Sequence, residues 1–134
     1  MLLRIREAPE FFRAAYDANG LAGFINGTCV PLGEPLTEDA MATHSPGGGV
    51  LCIHSVVVAA SRRRQGVGSA LLNAYLKHVR TIESVHEVRL IAKANLLGFY
   101  SSCGFDDLGE SSIEHGQDKW HDMVLFLKQP SAPN

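Results

Sequence analysis

The sequence predicts an α/β domain, and three neighbouring features carry that prediction. Residues 50–59 are the most apolar stretch, rich in valine and continuous rather than alternating, as in a strand buried on both faces. Residues 62–68 interrupt it with arginines and glycines. Residues 68–80 then take up helical period, with Leu71, Leu72, Tyr75, Leu76 and Val79 on one face. A buried strand that feeds directly into an amphipathic helix is characteristic of α/β order.

The other elements follow along the chain. Residues 2–8 read as a short helix or a helix end, stopped by Pro9. Residues 11–16 and 21–27 read as two strands joined by a turn at Asp17-Ala18-Asn19-Gly20, because Asn-Gly tolerates positive φ. Residues 29–49 hold Pro31, Pro35, Pro46 and the glycines 47–49, and read as a long loop with a short helix near residues 37–42. After the helix at 68–80 come a strand at 85–92, a short helix at 95–102, a strand or turn from Gly104 and a last strand at 120–127. One domain covers residues 1–128, and residues 129–134 form a polar, proline-containing tail.

Composition narrows the function. The chain has 134 residues, 46% hydrophobic and 19% charged, which suits one globular domain. A formal charge of -2 argues against a general nucleic-acid binder. Three widely spaced cysteines and six scattered histidines give neither a disulfide framework nor metal-ligand spacing, so no metal and a reduced, cytoplasmic compartment are expected. No apolar run approaches the roughly twenty residues a membrane helix needs, and the N-terminus has no signal-peptide pattern.

The chemistry concentrates in Arg62-Arg63-Arg64-Gln65-Gly66-Val67-Gly68-Ser69. A helix N-terminus offers unpaired N–H donors and partial positive charge. Gly66 and Gly68 let the backbone approach an anion, and the arginines add bidentate donors. The turn thus reads as a phosphate or pyrophosphate site, with an ordinary basic, glycine-rich loop as the plainer reading. It is neither a P-loop nor a dinucleotide fingerprint, since Leu71 stands where the third glycine belongs.

The turn resembles the [RQ]-x-x-G-x-[GA] motif of the GNAT acetyltransferases, with Arg63, Gly66 and Gly68 in the defining places. Downstream, Asn95-Leu96-Leu97-Gly98-Phe99-Tyr100, followed by Gly104-Phe105, is similar to that family's N-x-x-x-x-F-Y-x-x-x-G-F segment, with three residues instead of four between the asparagine and Phe99. Within the family the chain most resembles the arylalkylamine (serotonin) N-acetyltransferases, through Ile53-His54-Ser55-Val56-Val57-Val58 and the loop Met41-Ala42-Thr43-His44-Ser45-Pro46. The resemblance covers residues 11–127 and is sharp from 50 to 105.

The resemblance implies a mixed, mostly antiparallel sheet with a splayed central strand pair and flanking helices. It also implies an acyl-CoA-dependent N-acetyltransferase with acetyl-CoA as donor and a small-molecule amine, an arylalkylamine, as acceptor. The pantetheine arm would pair with Val56, Val57 and Val58, and the pyrophosphate would lie on the N–H groups of Gln65, Gly66, Val67, Gly68 and Ser69, beside Arg63 and Arg64. Asn95 and Phe99 would line the far side of the donor. His54 would act as general base through water and Tyr100 as the acid for the departing thiolate, with Cys52 and Trp120 near the acceptor. Only the second of that group's two strand histidines is matched, by His54; Cys52 holds the first position.

Plainer roles stand beside these. His54 reads equally as a core histidine, Tyr100 as a packing residue, Cys52 as a small buried residue and Trp120 as core. Acidic Glu34, Glu38 and Asp39 in the long loop leave a polyamine or protein amine open as acceptor. The family's first strand, first helix and most of its second helix are expected to be lacking. That would open the acceptor side and expose the strand at 11–16 as a sheet edge, inviting self-association. A non-catalytic CoA-binding module is the further alternative.

Overall fold

The computed structural model describes residues 4–8, 11–33, 43–111 and 119–127. The strands are β1 (Arg4–Ala8), β2 (Phe12–Asp17), β3 (Gly20–Val30), β4 (Val50–Val58), β5 (Glu87–Lys93), β6 (Asp106–Glu110) and β7 (Trp120–Phe126). They form one seven-stranded sheet in the order β1-β2-β3-β4-β5-β7-β6. Two α-helices accompany it, α1 (Val67–Val79) and α2 (Leu97–Ser102). All strand pairs are antiparallel except β4 with β5.

Of the helix or helix end expected over residues 2–8, the described residues 4–8 form a strand instead. Five residues are too few to hold a helix by themselves, and pairing with β2, from Arg4 opposite Tyr16 to Ala8 opposite Phe12, satisfies their backbone. β1 ends at Ala8 and β2 begins at Phe12. β2 is consequently not an edge: among the described residues the edges are β1 and β6. The self-association expected through the strand at 11–16 has no open edge there.

α1 lies on one face of the sheet. Leu71, Leu72, Tyr75, Leu76 and Val79 are buried against Ala15, Ala22, Ile25, Leu51 and Ile53. The Tyr75 hydroxyl donates to the Phe11 carbonyl at 2.7 Å, and burial pushes the phenol's pKa up. Gly27 makes room for it, since a Cβ there would stand 3.0 Å from that hydroxyl and 2.6 Å from the Cys52 carbonyl. Tyr75→Phe should cost about 1 kcal/mol, because Phe11 O keeps a second donor in Gly27 N at 3.1 Å. Urea unfolding measures this, and a loss above about 3 kcal/mol would mean that the hydroxyl does more than serve one carbonyl.

β4 is buried on both faces only as far as Ile53; from His54 onward it opens. Two features coincide at that point. The β3–β4 register shifts between Asn26, opposite Ser55, and Gly27, opposite Ile53, which leaves His54 as an extra residue. Such a bulge bends its strand. The parallel pairing with β5 also stops, covering only Val50 to Cys52 against Glu87 to Arg89. The central pair is therefore splayed beyond Cys52, as the resemblance implied.

The loop reading of residues 29–49 is corrected at its start, where Cys29 and Val30 belong to β3 and are buried. His44 closes the far end: its Nδ1 accepts from Cys29 N at 3.0 Å, and its ring lies 5.9 Å from Phe11. The short helix expected at 37–42, Glu34, Glu38 and Asp39, and the tail at 129–134 lie outside the described residues.

Candidate functional site

Beyond Cys52 the splay leaves the peptide groups on the outer edge of β4 without a pairing strand. Ala59 N donates to Ala22 O at 2.8 Å, which sets the phase of the β3–β4 ladder. In an antiparallel ladder every second residue turns its N–H and C=O toward the partner. Val57, opposite Phe24, directs its peptide groups to β3; those of Val56 and Val58 point out across the splay.

The chain then passes through a single 3-10 turn (Ala60–Arg62) into α1. Arg64 and Gly66 are left-handed, at φ 63° and 78°. That conformation costs an L-residue about 1–2 kcal/mol, so Arg64 is strained, and such curling of the backbone gathers N–H groups into an anion-binding concavity. The first bond of α1 runs from Ala70 N to Gly66 O at 3.0 Å, and no side chain caps the helix. Val67, Gly68 and Ser69 thus present N–H groups without intrahelical acceptors, at the positive end of the helix dipole.

A cavity of about 480 Å³ joins these parts. From β4 it takes Val56, Val57 and Val58, and from the turn and helix start Arg63, Arg64, Gly66, Val67, Gly68 and Ser69. Phe99 and Tyr100 close it from α2. Arg62, part of the basic turn read from the sequence but not among the donor-binding residues the resemblance implied, also lines it, as does Leu96, which sequence reasoning left out. Helical spacing held the signal for Leu96, since positions 96, 99 and 100 share one face of a helix. A Cβ on Gly68 would meet Val58 Cγ2 at 3.4 Å and Phe99 Cζ at 3.5 Å, ordinary contacts, so the fold itself does not demand glycine there.

Tyr100 both packs and lines the cavity. Its ring makes edge contacts with Phe99 and Phe105, at centroid distances of 5.0 and 5.9 Å. It is 8% exposed, and burial raises the phenol's pKa, which keeps the proton on through neutral pH.

Other expected site residues lie elsewhere. Gln65 is not part of the wall; its amide donates to Ser61 O at 3.2 Å. Asn95 is exposed on the 3-10 turn before α2. His54 is exposed rather than a core histidine, and its Nε2 lies 2.7 Å from Thr28 Oγ1. Cys52 is 1% exposed and packs with Val30 and Val50. Burial pushes its thiol up to about 12, so it stays protonated and is no nucleophile at neutral pH. Trp120 is half-buried on β7, with Lys93 Nζ 5.4 Å from its ring centroid. Among the described residues no group of three or more His, Cys, Asp or Glu could hold a metal ion, and no helix is long and apolar enough to cross a membrane.

A splayed parallel pair, with a basic, glycine-containing turn leading from its inner strand into a helix, defines the α/β class of this domain, and comparison with known proteins makes the assignment specific. The acetyltransferase (GNAT) domain model matches residues 39–127, and the chain belongs to that family. It is 32% identical to serotonin N-acetyltransferase of Mesocricetus auratus over 120 residues, which are 90% of this chain and 58% of that protein. Against the Homo sapiens serotonin N-acetyltransferase the identity is 29%, with the same coverage of 90% and 58%. The chain therefore spans somewhat more than half the length of these curated relatives. Among solved structures, GphF, a GNAT-like decarboxylase in complex with isobutyryl-CoA, superposes with a TM-score of 0.77 at 15% identity, covering 90% of this chain and 80% of that one. Ard1 from Thermoplasma volcanium superposes at 0.69 with 25% identity, covering 92% and 75%.

Proposed function

We propose that this domain transfers the acetyl group of acetyl-CoA to the primary amine of a small molecule, an arylalkylamine. The observation that carries the reading is one cavity in which the unpaired edge of β4 meets the uncapped start of α1. The residues fit the donor. The outward peptide groups of Val56 and Val58 suit an amide-bearing pantetheine arm, and the N–H groups of Val67, Gly68 and Ser69 suit a pyrophosphate. Arg63 Nε donates to Val58 O at 3.4 Å, a weak bond that an arriving donor amide would replace. The arylalkylamine acceptor is supported by the serotonin N-acetyltransferases among the chain's relatives.

Acetyl-CoA supplies an activated thioester, and transfer forms a C–N bond as the C–S bond breaks. The chain's part is to move two protons and steady one oxygen. His54, exposed on β4 just before the cavity-lining residues, takes the ammonium proton through water. The Val56 N–H, aimed across the splay, stabilises negative charge developing on the thioester oxygen. Tyr100 gives its proton to the departing sulfur.

His54→Ala should flatten the low-pH limb of the kcat/KM profile while leaving acetyl-CoA affinity intact. An unchanged limb would remove His54 from the mechanism. The test of the whole reading is calorimetric titration with acetyl-CoA, followed in the same sample by tryptamine and an assay for free thiol. Binding with thiol release supports it; binding without release from tryptamine, spermidine or a lysine peptide would leave a CoA-binding module, and no binding overturns it.

A further inference from the structure

We propose that Asp17, at the β2–β3 turn, is a positioning residue for the phosphate-binding turn, acting through Arg62. The two residues are 45 positions apart and meet in a two-point fork: Arg62 Nε donates to Asp17 Oδ2 at 2.8 Å, and Arg62 Nη2 to Asp17 Oδ1 at 2.7 Å. The pair is largely sealed from water, with the Arg62 side chain 14% exposed and that of Asp17 3%. Each partner is also held by its own neighbours. Asn19 N donates to Asp17 Oδ1 at 2.8 Å, and Arg62 Nη1 donates to Ser61 Oγ at 2.8 Å. Just upstream, Ala59 N reaches across to Ala22 O at 2.8 Å. The hairpin is thus bolted to the segment that leads into the anion-binding turn, on both sides of the 3-10 turn's start.

The consequence is a division of labour among three adjacent arginines. Arg62 lines the cavity, but its charge is matched by a carboxylate and its fork is engaged. It therefore adds little net attraction for a phosphate, and fixes where the backbone of residues 63–69 lies. The anion is left to Arg63, Arg64 and the helix N–H groups. A half-buried, bidentate pair suits this task because its geometry is narrow, and binding sites lose affinity steeply when their donors shift.

The inference rests on the acetyl-CoA reading, and its test keeps the two apart. Asp17→Asn, Arg62→Gln and the double variant, all close in size to the native side chains, are titrated with acetyl-CoA and assayed with S-acetyl-pantetheine, which lacks the phosphates. Each single variant should raise the acetyl-CoA Kd about tenfold, and the double variant should be no worse than either, the signature of two residues acting as one unit. The KM for S-acetyl-pantetheine should move less than about twofold, since the pantetheine edge on β4 is untouched. An unchanged or tighter Kd in Asp17→Asn would overturn the proposal, because it would mean that Arg62 is held back from the phosphate rather than bracing the turn. Additive losses would overturn it too, as would an equal loss with the phosphate-free donor, which a merely structural bridge would produce. Wild-type protein that binds no acetyl-CoA would overturn the donor reading itself.

Discussion

Gly66→Glu should lower acetyl-CoA affinity by at least about 100-fold, roughly 2.8 kcal/mol, while the domain stays folded. Two effects act, and they separate. The backbone at Gly66 sits at φ 78°, so any L-residue there costs about 1–2 kcal/mol in local strain. The second effect is charge. Apart from the adjoining residues, no heavy atom lies within 4 Å of where a Cβ would stand, so no packing clash opposes the substitution and the carboxylate adds a negative charge at the turn. A unit charge about 4 Å from a phosphate oxygen is repelled by about 4 kcal/mol at an effective dielectric of 20, and solvent at this open position trims that figure. Gly66→Ala carries the same strain without the charge and should lose no more than about tenfold, so calorimetry on the two variants divides strain from repulsion. Wild-type affinity in the glutamate variant would mean that the pyrophosphate lies elsewhere.

The contrast between that turn and the brace behind it shows what a sequence carries and what it does not. The strand, turn and helix that form the candidate anion site were legible because they are contiguous: β-branched residues, then arginines and glycines, then a helical period, all within residues 50–80. Each needs only local physics, and β4, α1 and the turn lie close to where that physics puts them. The resemblance supplied the splay, but not where it begins. Its start at Cys52 depends on a bulge at His54 against Asn26 and Gly27, a pairing between distant strands. The link between Asp17 and Arg62 was hidden for the same reason, as each reads alone as a turn residue and a basic patch.

The one element misread in kind, β1, is a case of tertiary pairing overriding local preference. Arg, Glu and Ala favour helix, and Pro9 marks an end to either type of element. What decides is the open backbone of β2, which residues 4–8 complete. The cavity beside β4 and α1 bears on the proposed donor, whereas the proposed arylalkylamine acceptor is supported by the chain's relatives. That is why donor binding and acceptor choice call for separate experiments.

Tyr100→Phe separates chemistry from packing most sharply, and its expected result is a fall in kcat of about 10²-fold with acetyl-CoA Kd changed less than threefold. The substitution keeps the ring and its edge contacts with Phe99 and Phe105, so the cavity wall survives. It removes only the hydroxyl. Burial raises the phenol's pKa, so wild-type Tyr100 holds its proton through neutral pH, which is the state an acid must be in. General acid catalysis is commonly worth about 10² to 10⁴ in rate. The lower end applies here, because a thiolate whose conjugate acid has a pKa near 8.5 leaves tolerably well without help. The loss should accordingly persist through the neutral range rather than appear at one pH. If kcat and acetyl-CoA affinity instead fall together, Tyr100 is a wall residue, and the departing sulfur takes its proton from water.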